Sequence, residues 1–293
     1  ACIRRRTPVH IEIDGRRLFF DVEGVALGVD DDGVHERPTL ILLHGAPGIS
    51  DHTAYKPAFT ALADAAQIVY LDLAGAGRSD INPDGFSLEA WADDIVELCD
   101  ALHITEPIVL GNSAGGMVAA MYAIRHPDHP AKLILSSTQA KLTAQRCVDV
   151  FERLGGEAAR KAAADALIDV GTMESLLTYG AVCVPLYNTT AQPEAFSAAT
   201  FRAETAAAFH ELGGIWHTMD HLDGLSAITC PTLVIAGAED PVTPIEDSID
   251  IVEHLTACDV RFETFDDAGH SVWNDNPERA FEVLRDFITA TPH

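Results

Sequence analysis

No run of the 293-residue chain is long and apolar enough to span a bilayer. Cationic residues are scarce: 19 Lys and Arg stand against 45 Asp and Glu, a formal net charge of −26. That surplus repels phosphate backbones and anionic headgroups, so nucleic acid and membrane surfaces are not expected partners. Cysteine is sparse too, with six residues scattered at 2, 99, 147, 183, 230 and 258 and no C-x-x-C. The spacing excludes a disulfide framework and reads as reduced, mostly buried thiols of a cytoplasmic protein. Repeats and low-complexity tracts are missing, and residues 1–8 are basic without the apolar run of a secretory signal. What the chain does have is 47% hydrophobic residues, enough to bury a large core as one domain with an inserted subdomain.

Apolar runs rich in β-branched residues alternate with helical periodicity, the pattern of a mainly parallel sheet covered on both faces by helices. Val9–Ile13 and 17–22 alternate and meet at Asp14-Gly15, a hairpin signal. Buried-type strands are predicted at 40–43, 68–71, 108–110, 132–135, 232–235 and 260–265. Ser87 is placed to cap a helix carrying Leu88, Trp91, Ile95, Leu98 and Leu102 on one face. The apolar run after Ser113 predicts a deeply buried helix that stops before Pro127, and a helix over Pro277–Thr289 closes the chain. Between 138 and 226 the rhythm breaks. This stretch is alanine-rich and helical at 158–167, turn-like around Pro185 and helical again near 206–212, with no strand run. The expectation is a core of residues 1–137 and 227–293 with a helical cap, 138–226, inserted between two parts of one sheet.

Gly111-Asn112-Ser113-Ala114-Gly115 lies where the strand at 108–110 gives way to helix, the G-x-S-x-G pattern of a nucleophile elbow. On so sharp a turn a serine hydroxyl is thrust into an open cleft, and Ser113 reads as a nucleophile. A serine needs a base within hydrogen-bond reach, and the base needs an acid to hold it. The strand at 232–235 runs into Asp240, and Val260–Phe265 runs into His270, so both follow strand ends on the sheet edge where such folds bind ligands. Glu239 is a rival for the acid. A developing oxyanion calls for two backbone donors: the N–H of Ala114 and, in the turn His44-Gly45-Ala46-Pro47-Gly48, that of Ala46, since Pro47 has none. The turn from Asp72 to Ser79 fits neither the dinucleotide fingerprint nor the P-loop and reads as structural. His217 and His221 are four apart but lack the glutamate of H-E-x-x-H, so no metal site is expected there.

Taken together, these motifs resemble the α/β-hydrolase fold and, more narrowly, proline iminopeptidase-like serine hydrolases over nearly the whole chain. The resemblance rests on residues 44–48, 72–79, the elbow, Pro185-Leu186-Tyr187-Asn188 and 237–244. It implies a mostly parallel central sheet with flanking helices and an inserted helical cap. It also implies a cofactor-independent serine hydrolase in which His270 takes the proton of Ser113, Asp240 holds the imidazole, and water releases an acyl-enzyme. Activity is expected to rise through about pH 6–7 as the base becomes neutral.

The chain departs from the family pattern at four places. Ala46 replaces a glycine, Ala74 an arginine and Ala114 a bulky aromatic, while Pro241 stands where peptidase members carry a glutamate for the substrate's amino group. A small acyl substrate, whether ester, lactone or amide, is therefore expected. The alternative is removal of N-terminal residues from short peptides, with Glu174, Glu204 or Glu211 supplying the missing carboxylate. Trp216, Tyr187 and Phe209 are the candidates for the cap's lining. Two other classes stay open: a non-catalytic receptor on the same fold, and a metal-dependent hydrolase using His217 and His221.

Overall fold

The leucine- and β-branched-rich runs sit at the centre of an eight-stranded sheet, where both faces are covered and apolar side chains predominate. The computed structural model describes residues 9–30, 33–191 and 198–290; the basic opening segment and Cys2 lie outside them. The strands are β1 (Val9–Ile13), β2 (Arg16–Glu23), β3 (Leu27–Asp30), β4 (Gly33–Glu36), β5 (Thr39–Leu43), β6 (Gln67–Leu71), β7 (Ile108–Asn112), β8 (Lys132–Ser136), β9 (Thr232–Gly237) and β10 (Val260–Phe265). The large sheet has the order β1-β2-β6-β5-β7-β8-β9-β10. Pairing is antiparallel at β1–β2 and β2–β6 and parallel across the rest, so the predicted hairpin does lead into a parallel sheet. Strand alternation sends Ile41 and Leu43 into one core and Leu40 and Leu42 into the other.

The helices are α1 (Lys56–Phe59), α2 (Leu88–Leu102), α3 (Ala114–Arg125), α4 (Ala144–Ala164), α5 (Met173–Val182), α6 (Ala203–His210), α7 (Ile215–Thr218), α8 (Ile245–His254), α9 (Val272–Asp275) and α10 (Pro277–Thr289). Helices α2, α3 and α8 fill the first core, while α1, α9 and α10 fill the second. Ser87 caps α2 as its sequence predicts, its side chain accepting from the Ala90 N–H at 3.1 Å. One polar residue of the central strands has a separate task. Buried Lys132 donates from Nζ to the carbonyls of Phe287, Ile288 and Ala290, satisfying the orphan end of α10 with a cation.

Among the described residues, everything between β8 and β9 is helix or turn, apart from one bridge between Lys141 and Asp220. Helix α4 begins at 144 rather than 158 and crosses a break at Gly156, whose φ of 68° lies in the left-handed region. The alanine run marked only its second half. Helix α6 spans Ala203–His210 rather than 206–212, and its first turn packs against Gly48. The β3–β4 hairpin was not anticipated; strands of four residues are too short for a periodic signal. No described helix is long and apolar enough to cross a membrane. Cys99, Cys147, Cys183 and Cys230 are buried free thiols, and Cys258 is half-buried.

Candidate active site

Ser113 ends β7 and opens α3 at φ 55° and ψ −124°, a backbone conformation that costs a non-glycine residue about 1–3 kcal/mol. Close packing enforces it. A Cβ at Gly111 would lie 2.1 Å from the Gly115 carbonyl oxygen, and one at Gly115 would lie 2.3 Å from that of Leu43. The strained turn is anchored at both ends: the Ser113 N–H donates to the carbonyls of Ser136 and Ser137, and Thr138 Oγ1 donates to the Ser113 carbonyl at 2.7 Å.

Asp240 and His270 are brought together, with His270 Nδ1 2.8 Å from Asp240 Oδ2. The carboxylate is 1% exposed and saturated: Oδ1 accepts from the N–H groups of Val242 and Thr243, and Oδ2 from Thr243 Oγ1 at 2.8 Å. Such a carboxylate fixes the ring and its tautomer. The rival Glu239 instead pairs with Arg153 near the surface. The His270 N–H donates to the carbonyl of Tyr187 at 2.7 Å, so the cap itself sets the position of the imidazole. Ser113 and His270 line one cavity of about 830 Å³, although no hydrogen bond runs from Ser113 Oγ to His270 among the described residues. Catalytic hydrogen bonds are often long before substrate binds.

Ala46 and Ala114 line the same cavity, and no described carbonyl accepts from either N–H. Ala46 takes φ 42°, held by the N–H groups of Ile49 and Ser50, which both donate to its carbonyl at 2.9 Å. Two residues that no motif marked join this loop to the elbow. Tyr55 OH accepts from the Gly45 N–H and donates to Asn112 Oδ1, each at 2.9 Å, while Asn112 Nδ2 donates to the Ser136 carbonyl. Burial pushes the Tyr55 phenol up to about 12 and so keeps its proton available for donation.

The turn after β6 is a structural hub, as its sequence predicts. Asp72 Oδ1 accepts from the backbone and ring of His52, and Oδ2 accepts from the Arg78 N–H. From the cap, Arg202 donates twice to the Gly77 carbonyl and Thr205 once to that of Gly75. Asp51, His52 and Asp72 offer three metal-type ligand atoms within 4.8 Å, but these hydrogen bonds, with those of Asp51 to Thr53 and Thr200, already occupy them. His44 is fully buried with Nε2 accepting from the Leu73 N–H, and burial holds it below the ordinary imidazole value.

Trp216, Tyr187 and Phe209 all stand in the cavity wall. None of Glu174, Glu204 and Glu211 does: the first two are exposed and the third is half-buried elsewhere. Among the described residues the wall contains no Asp, Glu, Lys or Arg. Its cap histidine, His210, is pushed down to about 4 by burial and is therefore neutral. His217 and His221 belong to no cluster of three ligand-type side chains among the described residues.

A mostly parallel sheet bearing a serine at a strand-to-helix elbow, with an acid and an imidazole on later strand ends, defines a class of hydrolases. A family model for the alpha/beta hydrolase fold matches residues 38–277, and the chain belongs to that family. It is similar to the putative carbamate hydrolase RutD of Rhizobium rhizogenes, at 30% identity over 93% of this chain and 98% of the relative. The proline iminopeptidase of Lactobacillus helveticus is 27% identical over 86% and 90% of the two chains. In structure, the proline iminopeptidase of Mycobacterium smegmatis superposes with a TM-score of 0.79 at 24% identity, covering 96% and 97% of the chains. The chain is a hydrolase, and its family relationship is proline iminopeptidase-like.

Proposed function

We propose that the protein is a cofactor-independent serine hydrolase of neutral acyl substrates, esters or lactones ahead of amides, and not an aminopeptidase. In this reading His270 takes the proton of the Ser113 hydroxyl as it attacks the carbonyl carbon. Asp240, acting through Nδ1, stabilises the imidazolium that results. The N–H groups of Ala46 and Ala114 receive the oxyanion, each worth roughly 10²–10³ in rate in comparable sites. Collapse of the tetrahedral intermediate expels the alcohol with the proton from His270. Water, activated by the same imidazole, then releases the acid.

The observation that carries the substrate class is the absence of charged side chains among the described residues of the cavity wall. An N-terminal ammonium bound there finds no carboxylate among the described residues and forgoes a charge-assisted hydrogen bond of about 1.5–3 kcal/mol, one to two decades in specificity. A carboxylate-bearing acyl chain lacks a cation for the same reason. The test compares aryl esters and lactones with prolyl arylamides on purified protein. We expect kcat/KM for the best neutral ester to exceed that for the prolyl arylamide at least 100-fold; the opposite order would overturn the assignment.

A further inference from the structure

Helix α5 presents Met173, Leu176, Leu177 and Gly180 to the cavity, an i, i+3, i+4, i+7 stripe. In a helix packed on a core such a stripe is covered, yet Leu177 is 69% exposed. Two further exposed apolar side chains line the same cavity: Phe201 at 60% and Ile49 at 36%. Scattered exposed leucines need no explanation. Three that line one cavity, from the loop of Ala46, from α5 and from the approach to α6, add exposed apolar surface to it, and we read them as its lip.

The stripe shares its cavity with Ser113 and His270. Beyond the C-terminus of α5 the chain reaches Tyr187, whose carbonyl holds the backbone of His270. Along the chain, Gly180 stands between Leu177 and Tyr187. Space is open at that point: a Cβ built on Gly180 meets no atom within 4 Å. The whole cavity, about 830 Å³, has room for about 28 water-sized groups, far more than a short acyl group fills.

Accepting the Ser113 reading above, we propose that this track binds a long unbranched apolar chain, which runs from the scissile bond past Gly180 and leaves between Leu177, Phe201 and Ile49. The substrates are then esters or lactones with a medium to long alkyl or acyl chain. Each methylene laid on the track raises kcat/KM about fourfold until the lip is passed.

The experiment measures kcat/KM for p-nitrophenyl acylates from C2 to C12, and for alkyl acetates of the same lengths. It uses the full chain as wild type, Gly180→Leu, Gly180→Ala, Leu177→Ser and Ser113→Ala. We expect one of the two series to climb with chain length in the wild type. Gly180→Leu, which fills the open space and raises helix propensity, is expected to cut the longest members at least about 30-fold relative to C2. Leu177→Ser is expected to remove only the last part of the climb, and Gly180→Ala to keep nearly all of it. Flat or falling profiles in both series would overturn the proposal, as would a climb that survives Gly180→Leu. A change of oligomeric state in Leu177→Ser with an unaltered profile would assign the lip to a protein contact instead. Loss of C2 turnover in Ser113→Ala alongside a flat profile sinks the track but leaves the hydrolase reading standing. Retained C2 turnover in Ser113→Ala sinks the hydrolase reading itself.

Discussion

The placement of Ser113, Asp240 and His270 is legible in the sequence: a glycine-flanked elbow after one strand and two turns after later ones, in a fixed order. Tyr55 and Asn112 have no such signature. Their value is spatial, since a phenol on α1's approach reaches across to the loop of Ala46 and to the strand of Ser113 at once. Tyr55→Phe keeps the ring against Phe59 and Trp273 but leaves the Gly45 N–H and Asn112 Oδ1 unpaired, at a cost of about 1–3 kcal/mol each where no water replaces the phenol. If the phenol holds the oxyanion loop in register, steady-state kinetics on an aryl ester are expected to show kcat falling about 10–100-fold with KM within about threefold. A change confined to KM would place Tyr55 in substrate binding instead. Thr243 was equally silent, although its hydroxyl occupies a lone pair of Asp240 that would otherwise be free to turn away from His270.

At the scale of elements, the sheet was legible almost strand for strand because its central strands are buried on both faces. The cap was not. Alanine-rich helices carry little amphipathic contrast, so the start of α4, the break at Gly156 and the limits of α6 depend on tertiary contacts. The base of the cap is a narrow crossing where Lys141 pairs with Asp220 at 2.7 Å and the His221 N–H donates to the Ala140 carbonyl at 3.0 Å. The His221 ring is 7% exposed with both nitrogens unpartnered, and burial outweighs the attraction of Asp220 and Glu89 and pushes it down to about 4.

The sign follows from linkage. An unfolded histidine takes its proton near pH 6.5, whereas the folded one resists to about 4, so stability is complete above pH 6.5 and is lost as pH falls toward 4. The loss is about 2 kcal/mol at pH 5. His221→Phe removes the proton site and keeps most of the volume. Between pH 7.5 and 5 the wild-type melting temperature is expected to drop about 4 °C further than that of the variant. Parallel curves would show that His221 carries no acid sensitivity.

Across the whole molecule, the acidic surface and the uncharged cavity make opposite contributions. A net charge of −26 disfavours anionic partners at long range, while the wall around Ser113 has no ion among its described residues with which to select a charged substrate. The first is read from composition alone. The second emerged only when the fold turned Glu174 and Glu204 outward and the burial of His210 left it neutral. The account rests on one hydroxyl in the wall of that cavity acting as the nucleophile. Its most direct test is to treat the protein with a fluorophosphonate, map the adduct by mass spectrometry and follow ester hydrolysis in the same samples. The account predicts a single adduct on Ser113, loss of activity in proportion to labelling, and neither labelling nor turnover in Ser113→Ala with the melting temperature preserved. Full ester hydrolysis with Ser113 unmodified or replaced would contradict it.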